Sequence, residues 1–120
     1  MKYYMLAMHH GDEPPAPEVL DPIMRDLAAV REEMKAAGVW VFGGGMENRK
    51  ASIVGTDGTV TEGHYPEAVG GFAIIDVPSR EEALQWAAKI AVACRCTQEV
   101  RELQPDPEQD AMISQANGRR

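Results

Sequence analysis

Two stretches of this chain repeat apolar residues at spacings of three and four, and each has a β-prone run on either side. In the first, Ile23, Leu27, Val30, Met34 and Ala37 form one stripe, with Arg31, Glu32, Glu33 and Lys35 on the water side. Asp21 is predicted to cap this helix, Pro22 to occupy its first turn and Gly38 to end it in a left-handed turn. In the second, Ser79 followed by Glu82 fits a capping box. Behind it Ala83, Trp86, Ala87, Ile90 and Cys94 line another stripe. A helix with one apolar stripe must bury it, and the strands beside it supply the surface.

Residues 2–10 alternate with apolar positions on both faces, which predicts a central strand. The run 39–42 is β-prone, and Gly43-Gly44-Gly45 is expected to halt it as a flexible connection. Residues 51–54 and 59–61 flank Thr56-Asp57-Gly58, a hairpin signal. Residues 71–77 form the most apolar strand, and 97–103 a polar one expected at an edge. The order is strand, helix, strand, hairpin, strand, helix, strand. This predicts an α+β protein with a ferredoxin-like split βαβ arrangement and an extra hairpin. Two helices cover one face of such a sheet, so the other is expected to meet a second copy in a homodimer. The expected domain is 1–103. Residues 104–120, with Pro105, Pro107 and few apolar side chains, are expected to form a flexible polar tail.

Charge and hydropathy exclude some function classes. A net charge of −7, with Arg119-Arg120 as an isolated basic pair, argues against nucleic-acid binding. No apolar run reaches the ~20 residues that cross a bilayer, which argues against a membrane partner. Residues 1–8 run into His9-His10 and are too short for a secretory leader, so a cytoplasmic protein is expected. Cys94 and Cys96 are expected to be reduced, partly buried thiols, because a disulfide across one intervening residue closes a strained ring.

Glu62-Gly63-His64-Tyr65 places a carboxylate, an imidazole and a phenol in four positions. On an extended segment Glu62 and His64 project to one side, where a carboxylate raises an imidazole pKa toward working pH. They are the candidate catalytic pair for proton transfer. Tyr65 and His10 are the candidate ligand-orienting groups, and Arg49 the cation for an anionic substrate. His9 and His10 end the first strand and point to opposite faces. Three potential metal ligands exist in His10, His64 and Glu62, but nothing in their spacing demands a metal, and none is assigned. Gly43-Gly44-Gly45 lacks a following helix and a Gly-Lys-Ser/Thr ending, so no nucleotide loop is read, and no organic cofactor is expected.

Lys2-Tyr3-Tyr4-Met5-Leu6, Gly11-Asp12-Glu13, the stretch 32–39, Gly70-Gly71-Phe72-Ala73-Ile74-Ile75-Asp76-Val77, the stretch 82–90 and Glu99-Val100-Arg101-Glu102-Leu103 together resemble the YCII-related domain family. The resemblance is to the branch named for an Asp-Gly-Pro-Phe motif, and it implies a dimeric ferredoxin-like α+β barrel. Where that branch carries Asp-Gly-Pro-Phe, this chain has Glu62-Gly63-His64-Tyr65. Where relatives often carry a helix histidine, it has Leu27, so the histidine–aspartate dyad proposed for YCII-like proteins does not transfer. Two functions are therefore expected. The first is a small-molecule binder using a dimer-associated cleft, as a cofactor-independent lyase or isomerase. The second is a non-catalytic accessory or regulatory dimer serving a transcription factor or a biosynthetic enzyme.

Overall fold

The computed structural model of the protein describes residues 2–9, 16–46, 51–63 and 69–116. Strand β1 (Tyr3–His9) leads to helix α1 (Pro17–Ala36) and strand β2 (Trp40–Gly45). The hairpin β3 (Ser52–Val54) and β4 (Val60–Glu62) precedes β5 (Val69–Asp76), α2 (Arg80–Cys94), β6 (Thr97–Glu102) and α3 (Pro107–Ala116). The main sheet has the order β2-β5-β1-β6, and every adjacent pair is antiparallel. This is the α+β, ferredoxin-like order expected, with β1 and β5 central and β6 at an edge. The hairpin forms its own two-stranded sheet around Asp57-Gly58. Gly58 takes φ +86°, the left-handed region that this turn requires.

Strand alternation sorts the sheet into two faces. Tyr4, Leu6, Ile75 and Val77 point toward the helices and pack with Ile23, Val30, Met34, Ala83, Ala87 and Ile90 as the core. The helical stripes read from the sequence are those that bury, with Leu27 and Trp86 packed at the margin, except Ala37, which is exposed at the C-cap of α1. Ala93 joins them, and Cys94 is buried at the last turn of α2. Arg31 lies over the Trp40 ring at 4.5 Å, closing the edge of the core beside β2.

The helix ends show which local signals prevailed. Gly38 takes φ +74°, and Val39 N–H reaches Met34 O while Gly38 N–H reaches Lys35 O. These two bonds make the Schellman arrangement that a C-terminal glycine permits. Ser79 Oγ accepts from Glu82 N–H at 3.3 Å, as the capping box predicts. The start of α1 differs from expectation. It begins at Pro17 rather than Pro22, with Ala16 as an N-cap that makes no side-chain bond. Both prolines satisfy the local rule, and the earlier start extends the exposed first turns. Pro22 sits inside the helix, where its missing N–H leaves Glu18 C=O to water on an exposed turn.

Three further expectations give way. Gly43-Gly44-Gly45 does not halt β2. It continues the strand, pairing with Ala73, Phe72 and Gly71. A Cβ on Gly43 would lie 2.4 Å from Phe72 O, so the glycine is there for close backbone approach. Cys94 and Cys96 are not two free thiols but are joined as a disulfide, with Cα atoms 5.3 Å apart. They are not on one strand: Arg95 between them takes the left-handed conformation (φ 55°), turning the chain so that both side chains converge. Lastly, helix α3 forms in the stretch expected to lack regular structure. Asp106 Oδ1 accepts from Gln109 N–H at 3.1 Å, with Pro107 as the first helical residue. It buries no residue.

Candidate functional site

The face of the main sheet opposite the helices carries Met5, Ala7, Phe72 and Ile74, with Phe42 beside them on β2. Phe42 is 65 % exposed, and its ring meets Phe72 at a centroid distance of 5.9 Å. Met5, Phe72 and Ile74 are half-buried. Ala7 and Tyr3, on the same side of β1, are buried (3 % and 5 % exposed), so the apolar surface is open mainly along β2 and β5.

At one end of the face lies a charged cluster that the sequence reading did not assemble. His9 ends β1, and Glu99 stands on β6, where Thr97 pairs with His9 and Glu99 with Ala7. The two side chains share a face on adjacent strands, and His9 Nε2 lies 3.0 Å from Glu99 Oε1. The imidazole is the more enclosed partner, at 15 % side-chain exposure against 49 % for the carboxylate. Arg101 Nη1 approaches Glu99 Oε2 at 3.9 Å from two residues along the same strand. The imidazole thus holds one carboxylate oxygen of Glu99, and the other lies near the Arg101 guanidinium. Such a pair can accept and return a proton, and the cation can hold an anionic group.

Of the residues singled out from the sequence, Glu62 is described. It is exposed at the end of β4, and Ser52 Oγ lies 3.4 Å from each of its carboxylate oxygens. His10, Arg49, His64 and Tyr65 lie outside the described residues. The His9–Glu99 pair joins positions 90 apart in sequence. Only the β1–β6 register brings them together, so the available signal was the position of each on its own strand. Leu27, at the position of the relatives' helix histidine, packs against the core.

Two other polar features belong elsewhere. On the helix side, Tyr4 OH donates to Glu102 Oε1 at 3.4 Å. Burial, and then the neighbouring Glu102 carboxylate, push the Tyr4 phenol above its ordinary pKa. In the hairpin, hydrogen bonds from Thr59 hold the Asp57 carboxyl below the ordinary carboxylate range. Between α1 and α2 runs a shallow groove of about 490 Å³, floored by Ala29, Val30, Ala88, Val92 and Ala93. The charges at its rim neutralise each other in Lys89–Glu33 (2.6 Å) and Arg95–Asp26 (2.9 Å) pairs, leaving an apolar trough with no chemistry. Among the described residues no three His, Cys, Asp or Glu side chains gather to hold a metal ion.

The model of the YCII-related domain matches residues 1–105, so the chain belongs to that family. No curated protein matches it. Helix α3 begins just beyond the matched region. Among the described residues no helix is long and apolar enough to cross a membrane.

Proposed function

We propose that this member of the YCII-related family is a cytoplasmic homodimer that binds a small molecule in a cleft formed where two sheets meet. In this reading the open face of each main sheet, with Phe42, Phe72, Met5 and Ile74, packs toward its twin and walls a chamber. An exposed Phe42 ring packed on a half-buried Phe72 supports such a contact, because apolar surface of this kind is costly to leave in water. The ligand is small and largely apolar, with one anionic group directed at Arg101. Chemistry, where it occurs, is proton transfer of the lyase or isomerase type without an organic cofactor, with Glu99 as the base and His9 holding it in place.

The observation that carries the reading is the 3.0 Å imidazole–carboxylate contact at the edge of that apolar face. The contact sets an imidazole that is 15 % exposed against a carboxylate that is 49 % exposed, so two groups able to exchange a proton stand at the rim of an apolar surface. Glu62 and His64, with Tyr65, His10 and Arg49 as ligand-orienting groups, remain the rival assignment for the proton carrier.

One set of measurements separates these assignments. Light scattering at micromolar concentration reports the dimer, and Phe42→Asp is expected to dissociate it. Thermal shift against a panel of aryl and alkyl carboxylic acids reports the cleft. His9→Ala and Glu99→Gln are expected to abolish ligand-induced stabilisation or turnover, while Glu62→Ala and His64→Ala leave both intact. The reverse pattern moves the proton carrier to the 62–65 segment. A dimer with no response to any acid, in wild type or variants, supports the accessory or regulatory module instead.

A further inference from the structure

We infer that Cys94 and Cys96 form a reversible dithiol–disulfide site that exchanges with low-molecular-weight disulfides, independently of the sheet face. The two cysteines lie at the junction where α2 ends and the chain turns into β6. Cys94 is 1 % exposed within the core, whereas Cys96 is half-buried at the turn. Arg95 makes their convergence possible, and its own side chain is tied down. Its guanidinium donates to Asp26 Oδ2 on α1 at 2.9 Å and to Ala93 O. The left-handed backbone at Arg95 is thus clamped from α1, holding the two sulfurs together in either redox state.

Gln98 supplies the second half of the argument. Its amide nitrogen lies 3.3 Å from Cys94 Sγ, 3.6 Å from Cys96 Sγ and 3.3 Å from Thr97 O, so its N–H groups are shared between the two sulfurs and that carbonyl. The amide oxygen is buried, with no hydrogen-bond partner among the described residues. A buried amide oxygen left without a donor is costly where the pair is oxidised, because a disulfide has no hydrogen to give. In the dithiol state a half-turn of the amide brings that oxygen to the sulfurs, where it accepts from a thiol S–H. Cys94 Sγ also lies 3.9 Å from Ala91 O and 3.7 Å from Cys96 O, acceptors that serve only the reduced form. One side chain can therefore serve both states: its N–H stabilises a thiolate and its C=O accepts from a thiol.

Exposure assigns the order of events. The Cys96 thiolate attacks one sulfur of an external disulfide RSSR, forming a mixed disulfide and releasing RS⁻. The Cys94 thiolate then attacks Cys96 Sγ and releases the second RS⁻, so the dithiol loses two protons and two electrons and RSSR becomes two thiols. A reducing thiol reverses both steps.

The test uses the full chain, fully reduced and then mixed with oxidised glutathione, and followed by intact mass after quenching with an alkylating agent. The expected product carries no glutathione, is two hydrogens lighter and takes no alkyl group. Cys94→Ala is expected to stall as a stable adduct of one glutathione at Cys96. Cys96→Ser is expected to leave Cys94 about tenfold slower to alkylate than Cys96 is in Cys94→Ala, because of its burial. Gln98→Ala, which leaves both thiols in place, is expected to slow oxidation several-fold and move the alkylation pH profile of Cys96 upward. Two independent glutathione adducts, a protein that stays reduced, or equal reactivity of the two single variants would overturn the inference. An unchanged pH profile in Gln98→Ala would remove Gln98 from it.

Discussion

Replacing Gly43 by alanine tests whether β2 is held where it is by backbone proximity. The new Cβ would lie 2.4 Å from Phe72 O, 2.8 Å from Ala73 Cα and 3.1 Å from Trp40 Cη2. Ordinary contact begins near ~3.4 Å, and the two nearest atoms belong to the backbone of β5, so no side-chain rotation relieves the clash. The edge strand must therefore move by about 1 Å, which strains the pairing of Phe42 with Ile74 and of Gly44 with Phe72. Overpacking costs about 1–3 kcal/mol, and one or two weakened ladder bonds add about 1 kcal/mol each. Loss of glycine's freedom in the unfolded chain returns about 0.5–1 kcal/mol. The net expectation is a loss of about 2–4 kcal/mol, or a melting temperature lower by roughly 8–15 °C for a chain of this size. Gly44 is the internal control, because a Cβ there meets nothing within 4 Å. Gly44→Ala should stay within about 1 kcal/mol of wild type in urea unfolding. Gly44 faces the open side, so light scattering on the same samples separates any effect on assembly. If Gly43→Ala melts with wild type, or Gly44→Ala falls as far, the close-approach argument is wrong.

Three other outcomes are expected. Ser79→Ala should cost about 0.5–1 kcal/mol by urea unfolding, because it removes the acceptor for Glu82 N–H, and Ser79→Asp should restore most of it. Met34→Ala, at a site 1 % exposed in the core, should cost about 2–5 kcal/mol, whereas Met24→Ala, at 57 % exposure, should be nearly silent in the same assay. For Tyr4, the folded phenol titrates above its unfolded value of 10.0, so its share of stability is complete below that pH and is lost as pH rises beyond it. Urea midpoints measured from about pH 8 to 11 should fall along this alkaline limb in wild type, and Tyr4→Phe should flatten it.

Local patterns carried most of the scaffold because each rests on neighbours within four residues. The stripe from Ile23 to Met34, the cap at Ser79, the glycine at Gly38 and the Asp57-Gly58 turn all lie where their chemistry requires. Errors arose where two local rules competed or where the deciding partner was distant. Pro17 and Pro22 both qualify as a first-turn proline. Gly43 reads as a strand breaker until the carbonyl of Phe72 is brought against it. The Asp106-Pro107 pair repeats the helix-start signal used at Asp21-Pro22, yet the polar composition around it masked a helix that needs no buried face to form.

The amino-acid sequence by itself determined the element order from β1 to β6, the helix-facing core and the family, since periodicity and capping are short-range properties of the chain. Tertiary structure alone decided that His9 meets Glu99, that the glycine run is a strand and that Arg95 turns two cysteines toward each other. The pairing register of β1 with β6 and the packing of α1 against the end of α2 join residues far apart in sequence. No pattern within one segment encodes a contact whose geometry is set by two.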